Sequence, residues 1–236
     1  MNKWKVFLLT AVAVCILQLP YIGLFFQAAN TLVHESGHAL ATWLANGRVQ
    51  HIHLFSNTEG VTLAAISSQW GQIVTGLSGY TFASLFACLL AWIWYKQRTN
   101  VALVLLLTLS VINLFFWMRN VYGIVWVLGF MIFLLSLLLT KNTAWKNGAS
   151  FVLLVMMVID SIRSSFTVAL ISLWSPERAG DAALLEQMTF APAAIWGILF
   201  FVQALFFGGL ASIFLLSSAK RHPSHSIAPH VHAVRR

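Results

Sequence analysis

The residues in this 236-residue chain best suited to chemistry lie together, in His34-Glu35-Ser36-Gly37-His38. On a helix, positions four apart share a face, so His34 and His38 can turn both imidazoles toward one ion. Glu35 is rotated by about 100° from His34 and can still reach a water on that ion as a general base. Zinc suits such a site. It is bound by imidazole and carboxylate, and it lowers the pKa of a bound water from about 15.7 to about 7. With eight histidines and six acids, this spacing arises by chance on the order of once in a hundred chains. These are also the only two of the eight histidines within a stretch apolar enough to cross a bilayer, where ionisable groups are costly and mark function.

The elements that must position this group are membrane elements. Hydrophobic residues make up 59% of the chain and charged residues 8%, with a mean hydropathy of +0.82. A soluble domain carries about 25% charged residues, so a water-soluble globule is excluded and a lipid bilayer is the expected surrounding. The formal charge of +8 comes from bases clustered at segment ends: Lys3, Lys5, Lys96, Arg98, Lys141, Lys146, Lys220, Arg221, Arg235 and Arg236. That is where spans meet lipid headgroups. No basic patch interleaved with aromatics occurs, so no nucleic-acid partner is expected. Cys15 and Cys88 both lie in apolar runs, which excludes a disulfide framework and a thiolate metal cluster. The basic, apolar amino terminus lacks a small-x-small cleavage site and reads as a retained segment.

A bilayer asks for about 20 apolar residues per spanning helix. Residues 5–45 are too long for one span, and Pro20 with Gly23 offers a break, giving helices near 4–19 and 21–45. Asn46-Gly47 stops the second. Residues 48–66 then alternate, with Val49, His51, His53 and Phe55 on one side and Gln50, Ile52 and Leu54 on the other, around a turn at Asn57-Thr58-Glu59-Gly60. That pattern is a short β-hairpin. Further spans are expected near 69–95, 100–117, 121–140, 147–172 and 190–217. The predicted fold is an all-α polytopic membrane protein of about seven transmembrane helices, six if the first two merge or one is re-entrant, with the hairpin after the metal-binding helix. Residues 1–219 form a single transmembrane domain, and 220–236, with His222, His225, His230 and His232 among Pro and Ser, a disordered tail.

The run from Thr31 to Leu40, Thr-Leu-Val-His-Glu-Ser-Gly-His-Ala-Leu, resembles the metal-binding helix of the site-2 protease family of intramembrane zinc metalloproteases. The hairpin, Gly79-Tyr80, Arg119-Asn120-x-x-Gly123, Gly180-Asp181-Ala182 and Pro192-Ala193-x-x-Trp196-Gly197 are similar to its bacterial B-type branch. The resemblance implies zinc held by His34, His38 and an acidic third ligand, with Glu35 as catalytic base. It also implies a multi-pass protein of a bacterial cytoplasmic membrane, acting on a membrane protein or peptide. The family's Asn-Pro stretch leading to Asp-Gly is absent, and so is a PDZ-like domain.

The third ligand must come from Asp160, Asp181, Glu186 or Glu59. Crossing parity returns residues 173–189 to the hairpin side, whether the first two spans are separate or merged. Within that stretch Asp181, preceded by Gly180 and lying in the Gly180-Asp181-Ala182 run that carries the resemblance, is the expected ligand, with Asp160 the alternative. The plain reading of Asp181 is a helix N-cap, and that of Asp160 an ion pair with Arg163 three residues on. His51 and His53 share an interfacial strand face, where solvation explains them. An exposed hairpin edge can pair with an unwound substrate strand, since a backbone must be extended to be cleaved. The function these residues point to is zinc-dependent hydrolysis of a peptide bond in or near a membrane-spanning segment. The competing class is a non-catalytic metal-binding scaffold or transporter that kept the motif; it would tolerate loss of Glu35.

Overall fold

The computed structural model describes residues 3–220, so most of the histidine-bearing tail lies outside the described residues. Helix α1 (Lys3–Gln18) and helix α2 (Ile22–Leu44) meet at Pro20, with Tyr21 at φ 61°. A hairpin follows, β1 (Arg48–Leu54) and β2 (Gly60–Ala65), then α3 (Gln69–Tyr95) and α4 (Thr99–Ile112), which runs on as a π-helical turn, Asn113–Trp117. The chain continues through α5 (Val121–Leu139), α6 (Thr143–Trp174), a 3-10 turn (Pro176–Arg178), α7 (Asp181–Thr189) and α8 (Ala193–Lys220).

Among the described residues five helices are long and apolar enough to cross a membrane: α3, α4 with its π turn, α5, α6 and α8. A sixth crossing exists if α1 and α2, bent by 96°, count as one broken span. Seven separate spans are not found among the described residues. The break comes at Pro20 as expected, but α1 has only 16 residues, short of the roughly 20 that hydrocarbon thickness requires. Helix α2 spends its length on Gln27, Asn30, Glu35 and His38, all buried.

Helix α3 sits at the centre, packed against α2 on one side and α8 and α6 on the other. Its small residues Ala83, Ser84, Ala87 and Ala91 are buried, and small side chains let helix backbones approach closely in a membrane. Outward faces carry Phe115, Val125, Ile132, Val202, Phe206 and Ile213, all exposed, which suits a lipid-facing surface. A second apolar cluster of Val168, Ala182, Leu185, Ala193 and Phe200 seats α7 against α3 and α8.

The hairpin alternates as expected. Ile52 and Leu54 point into the bundle with no exposed surface, while the rings of His51 and His53 stack 4.3 Å apart on the other face. The register pairs Leu54 with Gly60 and Ile52 with Thr62, with an irregularity between Val49 and His51. The outer edge of β1 is closed by the chain after the π turn. Arg119 N donates to Ile52 O (3.3 Å), and the Asn120 side chain acts as a short strand, its Nδ2 donating to Leu54 O (2.6 Å) and its Oδ1 accepting from Leu54 N (3.2 Å). Among the described residues β2 has no second strand partner, so the sheet's free edge is on its side.

Candidate active site

His34 and His38 lie one turn apart on α2, with Nε2 atoms 3.0 Å from each other. Asp181, the first residue of α7, brings Oδ2 to 3.2 Å from His34 Nε2 and 3.3 Å from His38 Nε2. Of the expected third ligands, this is the one the fold brings to the histidines; the trio is the described group of acids, cysteines and histidines able to share an ion. Asp160 is elsewhere, its Oδ1 accepting from Arg163 Nε at 2.9 Å. Glu59 sits on the rim of the cleft in the hairpin turn, and Glu186 lies along α7, outside the group. Asp181 is not the helix cap: Gly180, at φ 52°, holds that position and makes the sharp turn, which frees the aspartate side chain.

The neighbours of each group fix its chemical state. His38 Nδ1 is 2.7 Å from the carbonyl oxygen of Thr75. A carbonyl only accepts, so Nδ1 carries the proton and Nε2 presents a lone pair. Glu35 is buried, and its Oε2 accepts from the Thr62 hydroxyl at 2.6 Å; the same hydroxyl lies 3.2 Å from the Glu35 carbonyl.

These atoms fit a zinc ion. Ligands at about 2.0–2.1 Å in a tetrahedral shell stand about 3.3–3.4 Å apart, and the three donor atoms are separated by 3.0, 3.2 and 3.3 Å. Asp181 Oδ2 is buried without a hydrogen-bond partner despite two ring nitrogens within reach. Its lone pair is therefore available to an ion between the three groups. With neutral imidazoles, the Glu35 and Asp181 carboxylates give the site two negative charges, which a divalent cation would balance.

The close approach of α3 makes the site possible. A Cβ on Gly79 would stand 2.5 Å from His34 Nε2 and 2.6 Å from His38 Nε2. Gly37 faces the same helix, where a Cβ would meet Ser78 O at 2.9 Å and Phe82 Cβ at 2.7 Å. Tyr80 packs edge-on against His34, ring centroids 4.5 Å apart. Together these walls enclose a cleft of about 590 Å³ that also reaches β2, the start of α7 and one face of α6.

A family model described as Peptidase M50B-like matches residues 7–211. The chain belongs to that family, which is of the site-2 protease type. No curated protein and no solved structure matches it. Membership and the apolar helices together make this an integral membrane protein of a metallopeptidase family. The family resemblance carried by the histidine motif thus extends over most of the chain, including α7 and its aspartate.

Two contributors to the site gave no sequence signal as such. Thr62 reads as an ordinary strand residue, and the Thr75 carbonyl is backbone. Gly79 was visible as part of Gly79-Tyr80, but not as the residue that makes room for both imidazoles.

Proposed function

We propose that the protein is a zinc-dependent intramembrane endopeptidase, with His34, His38 and Asp181 as metal ligands and Glu35 as catalytic base. The observation that carries this reading is the convergence of the three donor atoms and the Glu35 carboxylate on one cleft beside an unpaired strand edge. Zinc held there would supply Lewis acidity toward the scissile carbonyl and a nucleophilic water at neutral pH.

The chain's own groups account for the remaining steps. The Thr62 hydroxyl occupies Glu35 Oε2, leaving Oε1 to take the proton from the attacking water and pass it to the leaving nitrogen. The free edge of β2, with Gly60, Val61 and Thr62 lining the cleft, can pair with a substrate that has unwound into an extended strand. The substrate is then a membrane protein or peptide whose helix opens within reach of this edge. The closed outer edge of β1 directs pairing to the cleft side.

The test is Glu35→Gln in purified protein reconstituted with a membrane-spanning substrate. Zinc content should stay unchanged because all three ligands remain, while cleavage falls by about 10²–10⁴-fold, the usual worth of a general base. Full cleavage by the Gln variant would overturn the mechanism and favour a scaffold or transporter that retained the motif.

A further inference from the structure

The cleft has a wall that the proposed mechanism leaves unused. Opposite the strand edge, α6 presents Arg163, Ser164 and Thr167 toward the cleft, and α2 presents Asn30, one turn before His34. A polar stripe on an otherwise apolar 32-residue helix is costly in a membrane and needs a use.

Arg163 is held from behind. Its Nε donates to Asp160 Oδ1 at 2.9 Å, and its second terminal nitrogen donates to Gln27 Oε1 and reaches the same carboxylate. Gln27 is fixed in turn by donating to the Leu17 carbonyl at 3.1 Å, at the end of α1. The pair is lopsided: the Asp160 side chain is 5% exposed and that of Arg163 is 53% exposed. Here the acid is sealed in the bundle, the positive end faces the cleft, and no described residue accepts from Nη1.

One further observation ties this corner to the helix of the histidines. Asn30 is 4% exposed and lines the cleft, and its Nδ2 reaches Ser164 Oγ at 3.4 Å, so α2 and α6 share the polar corner from which the free edge of Arg163 faces the cleft.

Resting on the endopeptidase reading, we infer that Arg163 is the specificity-determining residue of this site and selects substrates carrying an acidic side chain near the scissile bond. A carboxylate accepts from the open edge of the guanidinium, a charge-assisted bond in a setting poor in competing water. The distance from the bond follows from the fold. Asn30 precedes His34 by one turn, about 6 Å of helix rise, and an extended strand advances about 3.3 Å per residue. The acidic residue therefore lies about two or three positions from the bond.

The probes are peptidyl hydroxamates extending to either side of the metal-binding group, with Asp, Asn or Lys at the second or third residue. Their affinity for the full-length, zinc-loaded protein in nanodiscs would be measured by competition, with zinc content as control. Asp should bind about tenfold tighter than Asn at one of these positions, and Lys more weakly than both. Arg163→Gln alone strands the buried Asp160, so the informative protein is the Asp160→Asn, Arg163→Gln double variant, which removes both charges together. It should keep its zinc and lose the preference. Equal affinities across the series, or a preference that survives in the double variant, would overturn the inference while leaving the metal site standing. Failure of every hydroxamate to bind zinc-loaded protein would instead overturn the endopeptidase reading, and this inference with it.

Discussion

Gly79→Ala tests whether the two histidine rings meet where α3 allows them to. The added methyl would stand 2.5 Å from His34 Nε2 and Cε1 and 2.6 Å from His38 Nε2. Ordinary contact begins at about 3.4 Å, so the deficit is about 0.9 Å against both rings at once. Neither ring can step aside freely: His38 is tied by Nδ1 to Thr75 O at 2.7 Å, and His34 is backed by Tyr80. Helix α3 cannot retreat alone either, because it is packed against α8 and α6 behind. Overpacking of this kind costs about 1–3 kcal/mol, which a bundle of this size can survive. The metal site is less forgiving, since donor positions must hold to about 0.2 Å. The expected result is a folded protein whose zinc affinity falls by at least about 100-fold, beyond the 10–100-fold typical of changes around a ligand shell. The assay is zinc stoichiometry by mass spectrometry and affinity by chelator competition. Gly209→Ala, where nothing lies within 4 Å of the new methyl, serves as control. Wild-type zinc affinity in Gly79→Ala would refute the placement of the rings.

Three other expectations are open to direct test. Thr62→Val removes the 2.6 Å hydrogen bond to Glu35 Oε2; a bond to a charged group is worth about 1.5–3 kcal/mol, so kcat should drop about 10–100-fold at unchanged zinc content, and an unaltered kcat would exclude a positioning role. Asp181→Asn should leave helical content and α7 intact, because Gly180 rather than Asp181 is the cap, yet lose tight zinc binding. Retention of zinc in that variant together with its loss in Asp160→Asn would transfer the ligand role to Asp160. On the hairpin, partial burial and the charge of stacked His51 hold His53 below the ordinary imidazole range; removing a positive neighbour favours the protonated form, so His51→Ala should move the NMR titration of His53 to higher pH, and an unchanged or lower midpoint would show that the rings do not interact.

What could be read from the sequence follows from how local each signal is. The His34-Glu35-His38 group is a single-helix pattern, and helical spacing alone places both imidazoles on one face. The hairpin declares itself by alternation, and the break between α1 and α2 by Pro20. Asp181 is 143 residues beyond His38, yet it was reachable because crossing parity does not depend on whether α1 and α2 are separate spans. The number of spans does depend on it. Hydropathy reports a break but not its angle, and the 96° bend is set by how α1 packs against α6 and α2. The same holds for the outer edge of β1. Nothing in Arg119-Asn120 says that a side-chain amide will complete a strand there, because that requires the π turn Asn113–Trp117 to bring it alongside.

The placement of Asp181 also bears on how the site is assembled. Its helix is nine residues long, too short to be stable alone in water, so α7 is positioned by what it packs against. Ala182 and Leu185 are fully buried against a cluster that includes Val168 and Phe200, and the Gln69 side chain on α3 donates to Met188 O at 2.8 Å near the far end of α7. Apolar docking and that bond hold the helix without any help from the aspartate. The carboxylate is then carried to within 3.3 Å of both imidazoles by contacts that do not involve them. His38 is likewise oriented from outside the trio, by Thr75, and Glu35 by Thr62. His38, Asp181 and Glu35 are thus each held by contacts outside the proposed ligand trio, so their geometry would be built before an ion binds. Such preorganisation reduces the cost of ordering the ligands on binding, and it is the arrangement expected where a site must present a fixed reaction geometry within a bilayer.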